Sequence, residues 1–514
     1  MPRYKPYSYA QTVMLPVSLE AQLIPGTLEF AIHTLVDSRI DVGEFESRLK
    51  NDDTGRRAFD PRLLLKIVLL AYSRGIVSSR QIERACKENV TFMALSCCSF
   101  PDHTTIATFV SSMQEEIKVV FRDVLLVCEE LCLLGGTSFA LDGLKLPSNA
   151  SKEWSGTVEG LRRKCEKIQL KIEELLGGQL EADQEEDLGE EGVLAEKSGS
   201  VEKQIARLRA KAERVERWLA ENGPKMGRDG KEIQSNITDN ESAKMLTAHG
   251  VIQGYNGQVL VDKKHQVVVH AEAFGSGQDS GHLVPMIDGA KENVRAFGFG
   301  EGYFVGKRLA ADANYHSGEN LGKCEEERID AYIPDVKFRQ RDVRFVGQEK
   351  YKPAREEKFE FGDFTYDEER DCYVCPDGKL LRLQARRAKT REHVFRRYVA
   401  RRSDCGVCSL RGQCLRRTGA QRKHLIVDIK RRGPSLSEEM MRKIDTERGR
   451  HRYGERLGIV EPVFANIRTQ KRLDRFTLRG RIKVNIQWVL YCVVHNIEKI
   501  VNFGKLGQLV PRVA

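Results

Sequence analysis

The apolar run Phe139-Ala140-Leu141-Asp142-Gly143-Leu144-Lys145 reads as a buried strand, yet the next strand-like run begins only at Gly254. What separates them is not loop. Val158, Leu161, Cys165, Ile168, Ile172 and Leu175 recur at alternating spacings of three and four, as do Val201, Ile205, Leu208, Ala212, Val215 and Leu219. Such heptad spacing gives each segment one apolar seam. Gly177-Gly178 and an acidic link, Glu185-Glu186-Asp187 with Glu190-Glu191-Gly192, stand between the two. The pair is therefore expected to fold back as an antiparallel helical hairpin, residues 151–234, inserted into a sheet domain. Its expected role is that of a spacer or a dimerising arm.

The sheet resumes at residues 254–262 and continues through 266–273, and the short link Asp262-Lys263-Lys264-His265 makes these a hairpin. A helix on Leu283, Met286, Ile287, Ala290 and Val294 follows. Next come a strand ending at Asp312, a helix over 319–327 and the strand Ala331-Tyr332-Ile333-Pro334. The fold class is thus mixed α/β, with the first and fourth strands each ending in an Asp. A third carboxylate, Glu461, opens an expected helix over 461–468, with Pro462 in a first turn that does not need its missing N–H. The last helix, over 486–500, is expected to face the core.

Upstream, residues 1–125 read as a helical region. Leu63, Leu64, Ile67, Val68, Leu70 and Ala71 make a helix after Asp60-Pro61, and Gly75 ends it. Ser78 with Gln81 offers a capping box for the next helix, and Pro101-Asp102-His103 marks a third start, with His103 a capping or surface residue. Short helices with Arg74, Arg80 and Arg84 suit a helix-turn-helix lying in a DNA groove; a plain helical bundle with surface arginines is the alternative.

Charge points the same way. Of 514 residues, 84 are Lys or Arg and 74 Asp or Glu, a net +10 that favours a polyanionic partner. The bases gather late, in Arg386-Arg387-Ala388-Lys389-Thr390-Arg391, Arg396-Arg397, Arg401-Arg402, Arg416-Arg417, Arg422-Lys423 and Lys430-Arg431-Arg432, where acids thin out. No apolar run reaches the roughly 18–20 residues that span a bilayer, and no secretory h-region follows Met1. The expected location is the cytoplasm, with no membrane partner.

Thirteen scattered cysteines do not form the framework of a small secreted domain. Within the basic stretch 341–435, however, Cys372, Cys375, Cys405, Cys408 and Cys414 have the spacing of a zinc site, with five candidates for four places. Two readings stand: one structural Zn²⁺ on Cys375, Cys405, Cys408 and Cys414 with Cys372 spare, or reduced, unliganded thiols.

Three carboxylates from separate elements suit phosphodiester chemistry, in which two hard cations serve the attacking and leaving oxygens. At this point Ala311-Asp312-Ala313-Asn314-Tyr315-His316-Ser317, Val460-Glu461-Pro462-Val463-Phe464, Leu141-Asp142-Gly143 with Asn149-Ala150, and Arg74-Gly75-Ile76-Val77-Ser78-Ser79-Arg80 resemble the DDE transposases of bacterial insertion sequences. The group numbered 1182 is the most similar. The resemblance runs over nearly the whole chain.

It implies a ribonuclease-H-like (RNase H-like) core built from 136–150, 235–340 and 436–514, holding two Mg²⁺ or Mn²⁺ on Asp142, Asp312 and Glu461. It also implies a transposase that binds terminal inverted repeats, cleaves the strands at the element ends and joins them to target DNA. Double-stranded DNA is the implied partner, met by a homodimer in the nucleoid. Related transposases carry Tyr, Arg, Glu and Lys in a fixed spacing. Here Tyr453 and Arg456 match, four residues separate Arg456 from Glu461, and Arg468 stands for the Lys. Tyr453, Arg456, Arg468 and Lys471 join Arg74, Arg80 and Arg84 as candidate DNA contacts. The alternatives are a domesticated or inactive DNA-binding descendant, or a different RNase H-like nuclease.

Overall fold

The computed structural model describes residues 18–48, 57–186, 194–227, 230–345, 347–351, 358–390, 393–415, 417, 419–428 and 435–505. The architecture is mixed α/β, with two compact units: Met1–Tyr303 together with Leu457–Ala514, and Phe304–Arg456. Residues 187–192 of the acidic link and the basic residues Arg391, Arg416 and Lys430-Arg431-Arg432 lie outside the described residues.

In the first unit the strand Ser138–Pro147 pairs antiparallel with Gly250–Asp262, which also pairs with Ala243–Thr247 and Val268–Phe274. Asp142 stands opposite Val259 in the middle of its strand, not at the end as expected, because the pairing continues to Pro147 and Gly254. Opposed residues share a face, so Asp142 and Leu144 lie on the same side as Gly257. That side meets the helix Arg481–Phe503: a Cβ at Gly257 would come within 2.8 Å of the Trp488 ring, and the Trp488 Nε1–H donates to Gln258 O at 3.0 Å.

The Arg481–Phe503 helix is buried along most of its length and supports more than the sheet. The helices Leu28–Ser38, Pro61–Ser73 and Glu116–Glu130 pack on it, with Tyr72 and Tyr491 rings 5.1 Å apart. The N-terminal helices therefore share a core with the C-terminal helix. Their ends follow local chemistry. The Asp60 side chain accepts the Arg62 N–H and Pro61 takes the first helical position, while Gly75 exits at φ +70°. Asp102 caps His103–Ser112 by accepting from Thr104 and Thr105. His103 bonds Glu83 at 2.9 Å. Ser78 precedes the helix Ser79–Glu88 but makes no side-chain cap bond, so the expected capping box is not formed.

The inserted hairpin consists of Val158–Glu186 and Leu194–Glu221. Leu161 and Cys165 near the start of the first helix pack with Ala212, Val215 and Trp218 near the end of the second, so the pair is antiparallel and its seams close on each other. Gly177 and Gly178, expected to divide the segments, lie inside the first helix. Each costs about 1 kcal/mol relative to Ala, which a 29-residue helix packed along its seam tolerates.

In the second unit Arg308–Ala311 and Asp330–Tyr332 pair in parallel, with the helix Gly318–Glu326 between them in sequence. Ala310, Tyr332, Phe338, Ile444 and Tyr453 form one core. The basic stretch forms a five-stranded antiparallel sheet ordered Thr365–Asp367, Cys372–Val374, Leu380–Thr390, His393–Ala400, His424–Asp428. Its small core is Phe364, Tyr373, Leu381, Tyr398, Ala400 and Leu425.

The helix Glu447–Ala465 begins well before Glu461, so Pro462 sits in its interior and not in a first turn. A proline there removes the hydrogen bond to the carbonyl four residues back. The helix then widens into a π-turn, Asn466–Gln470. Among the described residues no helix is long and apolar enough to cross a membrane.

Candidate active site

Asp312 follows directly on the strand Arg308–Ala311 and opens the 3-10 turn Ala313–Tyr315. Its Oδ1 accepts the Tyr453 phenol at 3.1 Å and lies 3.7 Å from the Arg456 guanidinium. Both partners are buried, at 8% and 6% exposure, whereas the Asp312 side chain is one-third exposed. Burial first, and then the Asp312 charge, push the Tyr453 phenol up to about 12, so it stays protonated and able to donate. Tyr453 and Arg456, expected on DNA, therefore hold a carboxylate.

The same turn is locked from its other side. His316 meets Ile333 O through Nδ1 at 2.8 Å and Ser437 Oγ through Nε2 at 2.7 Å. A carbonyl only accepts, so Nδ1 carries a proton and donates to Ile333 O.

In the first unit the Asp142 Oδ1 accepts the Gly143 N–H at 2.8 Å. Gly143 is required: an added Cβ would collide with the side chains of Gln258 and Asn256 on the opposite face of the strand from Asp142. There Asn256 and Gln258 donate to the buried Asp279 at 2.6 and 3.0 Å. Sequence reasoning did not single out Asp279, and its position on the other face separates it from Asp142.

Glu461 is exposed on the Glu447–Ala465 helix. Phe464 and Ala465, three and four residues on, share its face. They line a cleft of about 480 Å³ with Leu144, Arg468, Thr469, Arg472 and Asp474. Leu144 in turn shares a face with Asp142. One cleft thus borders both the face that carries Asp142 and the face that carries Glu461.

The other expected DNA contacts divide. Arg80 and Arg84 are exposed, the latter 4.0 Å from Glu88. Arg74 is taken up by Glu29 at 2.7 Å and lies over the Phe92 ring. Lys471 has no exposed side chain: its ammonium pairs with Glu498 at 2.6 Å and donates to Asn466 Oδ1. A buried, paired charge is not available to a phosphate, so Lys471 stands apart from the surface role expected of it.

In the basic sheet, Cys375, Cys405, Cys408 and Cys414 line one pocket of about 30 Å³, and Cys372 is buried in its strand. The Lys379 N–H donates to Cys375 Sγ at 3.2 Å, and the Leu410 N–H to Cys408. Burial raises the Cys414 thiol; Lys423 opposes that rise and the three neighbouring cysteines add to it. Among the described residues no group of three or more His, Cys, Asp or Glu is already arranged to hold a metal ion.

Residues 374–501 match a family described as the Transposase DDE domain, and residues 17–112 match a second, described as Transposase domain (DUF772). Both are transposase families. They point to a transposase that acts on DNA. The first match includes Glu461, the Cys375, Cys405, Cys408 and Cys414 set and all but the end of the Arg481–Phe503 helix, and the second includes the three N-terminal helix starts; Asp142 and Asp312 fall outside both. No curated protein matches the chain.

Proposed function

We propose that the protein is a DDE transposase of an insertion sequence, with Asp142, Asp312 and Glu461 as its catalytic carboxylates on an RNase H-like core. The observation that carries this reading is the tie between Asp312 and Tyr453 and Arg456, which sit on the helix that continues to Glu461. Within the first unit, Leu144, on the strand face that carries Asp142, and Phe464 and Ala465, on the helix face that carries Glu461, line one cleft.

The donor set fits Mg²⁺ or Mn²⁺. All three groups offer the hard carboxylate oxygens that such ions prefer, and Tyr453 and Arg456 both engage Oδ1 of Asp312. When bound, a pair of such ions activates the attacking oxygen and stabilises the leaving one. Tyr453 fixes the rotamer of Asp312. Arg456 offsets charge beside it. Exposed Arg80, Arg84 and Arg468 supply phosphate contacts, and transposition, which joins two ends, calls for at least a dimer on DNA.

Cys375, Cys405, Cys408 and Cys414, which line one pocket in the basic sheet, are proposed as ligands of one structural Zn²⁺; backbone N–H groups meet two of the sulfurs.

The test is cleavage of a DNA fragment carrying the gene and its flanks, with Mg²⁺. Nicks should map to inverted repeats on either side. Asp142→Ala, Asp312→Ala and Glu461→Ala should each abolish them while gel-shift binding persists. Wild-type cleavage by Asp312→Ala would sink the assignment.

A further inference from the structure

Lys471 closes a buried polar network around the π-turn Asn466–Gln470. Its ammonium meets Asn466 Oδ1 and Glu498 Oε2; Asn466 Nδ2 donates to the same Glu498 oxygen at 3.0 Å and to Gln470 Oε1 at 3.0 Å. His495 Nδ1 lies 3.1 Å from Asn466 Oδ1, and His495 Nε2 meets Gln266 O at 2.8 Å. Every side chain in this set holds either the turn or a neighbour of the turn.

The backbone after the turn is also held. Lys471 N–H bonds Asn466 O at 3.1 Å and Leu473 N–H bonds Ile467 O at 3.2 Å, bracketing Arg472 in a left-handed conformation, φ +55°. An L side chain adopts that region only when its surroundings impose it. Gly75 closes against this spot: a Cβ there would stand 3.0 Å from both Arg472 Cβ and Lys471 O. The outcome is that Arg468 and Arg472 line one cleft, with Asp474 as the acidic member of its wall.

We propose that Lys471 is a positioning residue, whose buried ammonium sets the π-turn so that Arg468 and Arg472 face the cleft together as a paired site for backbone phosphates of DNA. This rests on the transposase reading, which supplies the DNA. Lys471 itself touches no phosphate; its effect passes through the two arginines.

The salt dependence of binding to a fluorescein-labelled DNA duplex tests the proposal. Each phosphate contact contributes about 0.9 to the slope of log K against log salt, so Arg468→Ala/Arg472→Ala should flatten the wild-type slope by about 1.8. Lys471→Met should flatten it by the same amount, and adding the two arginine substitutions to it should change nothing further. A Lys471→Met protein with the wild-type slope overturns the proposal whatever its affinity or melting temperature, because a merely structural lysine would lower stability and leave the slope alone. An unchanged slope in the arginine pair overturns it as well. If Lys471→Met does not fold, Lys471→Met/Glu498→Gln carries the same test with no carboxylate left unpaired. Failure of the transposase reading looks different, since the wild-type protein would then leave the inverted repeats uncut in Mg²⁺ whatever the slope of its duplex binding.

Discussion

Tyr453 donates its phenolic hydrogen to Asp312 across 3.1 Å, from a helix that also carries Glu461. Hydrogen bonds to a charged group contribute about 1.5–3 kcal/mol. Tyr453→Phe keeps the ring packed against Phe338 and removes only that bond. Cleavage should therefore slow by about tenfold or more, with DNA affinity unchanged. Single-turnover kinetics at saturating protein measure it, and an unchanged rate would mean that Asp312 needs no such support. The pH dependence has a definite sign. The phenol's folded value, about 12, lies above its ordinary 10, so the stability Tyr453 contributes is fully present below pH 10 and is lost as pH rises toward 12. Tyr453→Phe should show less alkaline destabilisation over that window.

His495 gives the opposite pH signature. Burial, with Lys471 and Lys499 nearby, lowers it to about 3 from 6.5. The unfolded chain therefore binds a proton that the folded chain refuses between those values. Stability is present above pH 6.5 and falls as pH drops toward 3. Melting temperatures measured from pH 7 to 4 should fall more steeply for wild type than for His495→Gln, whose amide does not titrate. Parallel curves would remove His495 from the acid response.

Much of this arrangement is legible from periodicity and turn chemistry alone. The strand bearing Asp142, the hairpin at 254–273 and the helix on Leu283 to Val294 all follow from apolar spacing, because each buries one face against the rest. Tertiary packing decided the rest. Gly177-Gly178 looks like a break locally but is carried through by the seam that closes on Ala212 and Val215. Pro462 looks like a helix start but lies inside a helix that begins at Glu447 and already buries Tyr453 and Ile459 before it. A lysine next to an arginine reads as surface. Only the fold reveals Glu498 waiting for Lys471, since their separation of 27 residues has no local pattern.

The basic sheet has a small core of Phe364, Tyr373, Leu381, Tyr398, Ala400 and Leu425, and a metal would add what so few side chains do not. Protein purified without chelator should contain about one Zn²⁺ per chain, and Co²⁺ substitution should give the charge-transfer bands of thiolate ligation. Cys405→Ser or Cys414→Ser should release the metal; Cys372→Ser, altering a thiol buried in its strand, should retain it. A chain free of zinc under these conditions would leave the four as reduced thiols.

The helical hairpin provides the last prediction. Its seam residues Leu161, Cys165, Ala212, Val215 and Trp218 are satisfied within one chain, so the hairpin has no apolar stripe there left to recruit a second copy. Among the described residues its outer surface carries exposed charge pairs, Arg163 with Glu159 at 3.1 Å and Lys171 with Glu174 at 2.8 Å. Exposed pairs of this kind contribute little to stability and are screened by salt. The free protein should therefore run as a monomer in light scattering, with any dimer appearing only when DNA is added. Replacing residues 160–219 with a short Gly-Ser linker should leave single-end binding intact and weaken paired-end complexes in gel shifts, because the arm then contributes by reach. Normal pairing by the shortened chain would make the hairpin a spacer, and a dimer without DNA would show that another surface holds two copies together.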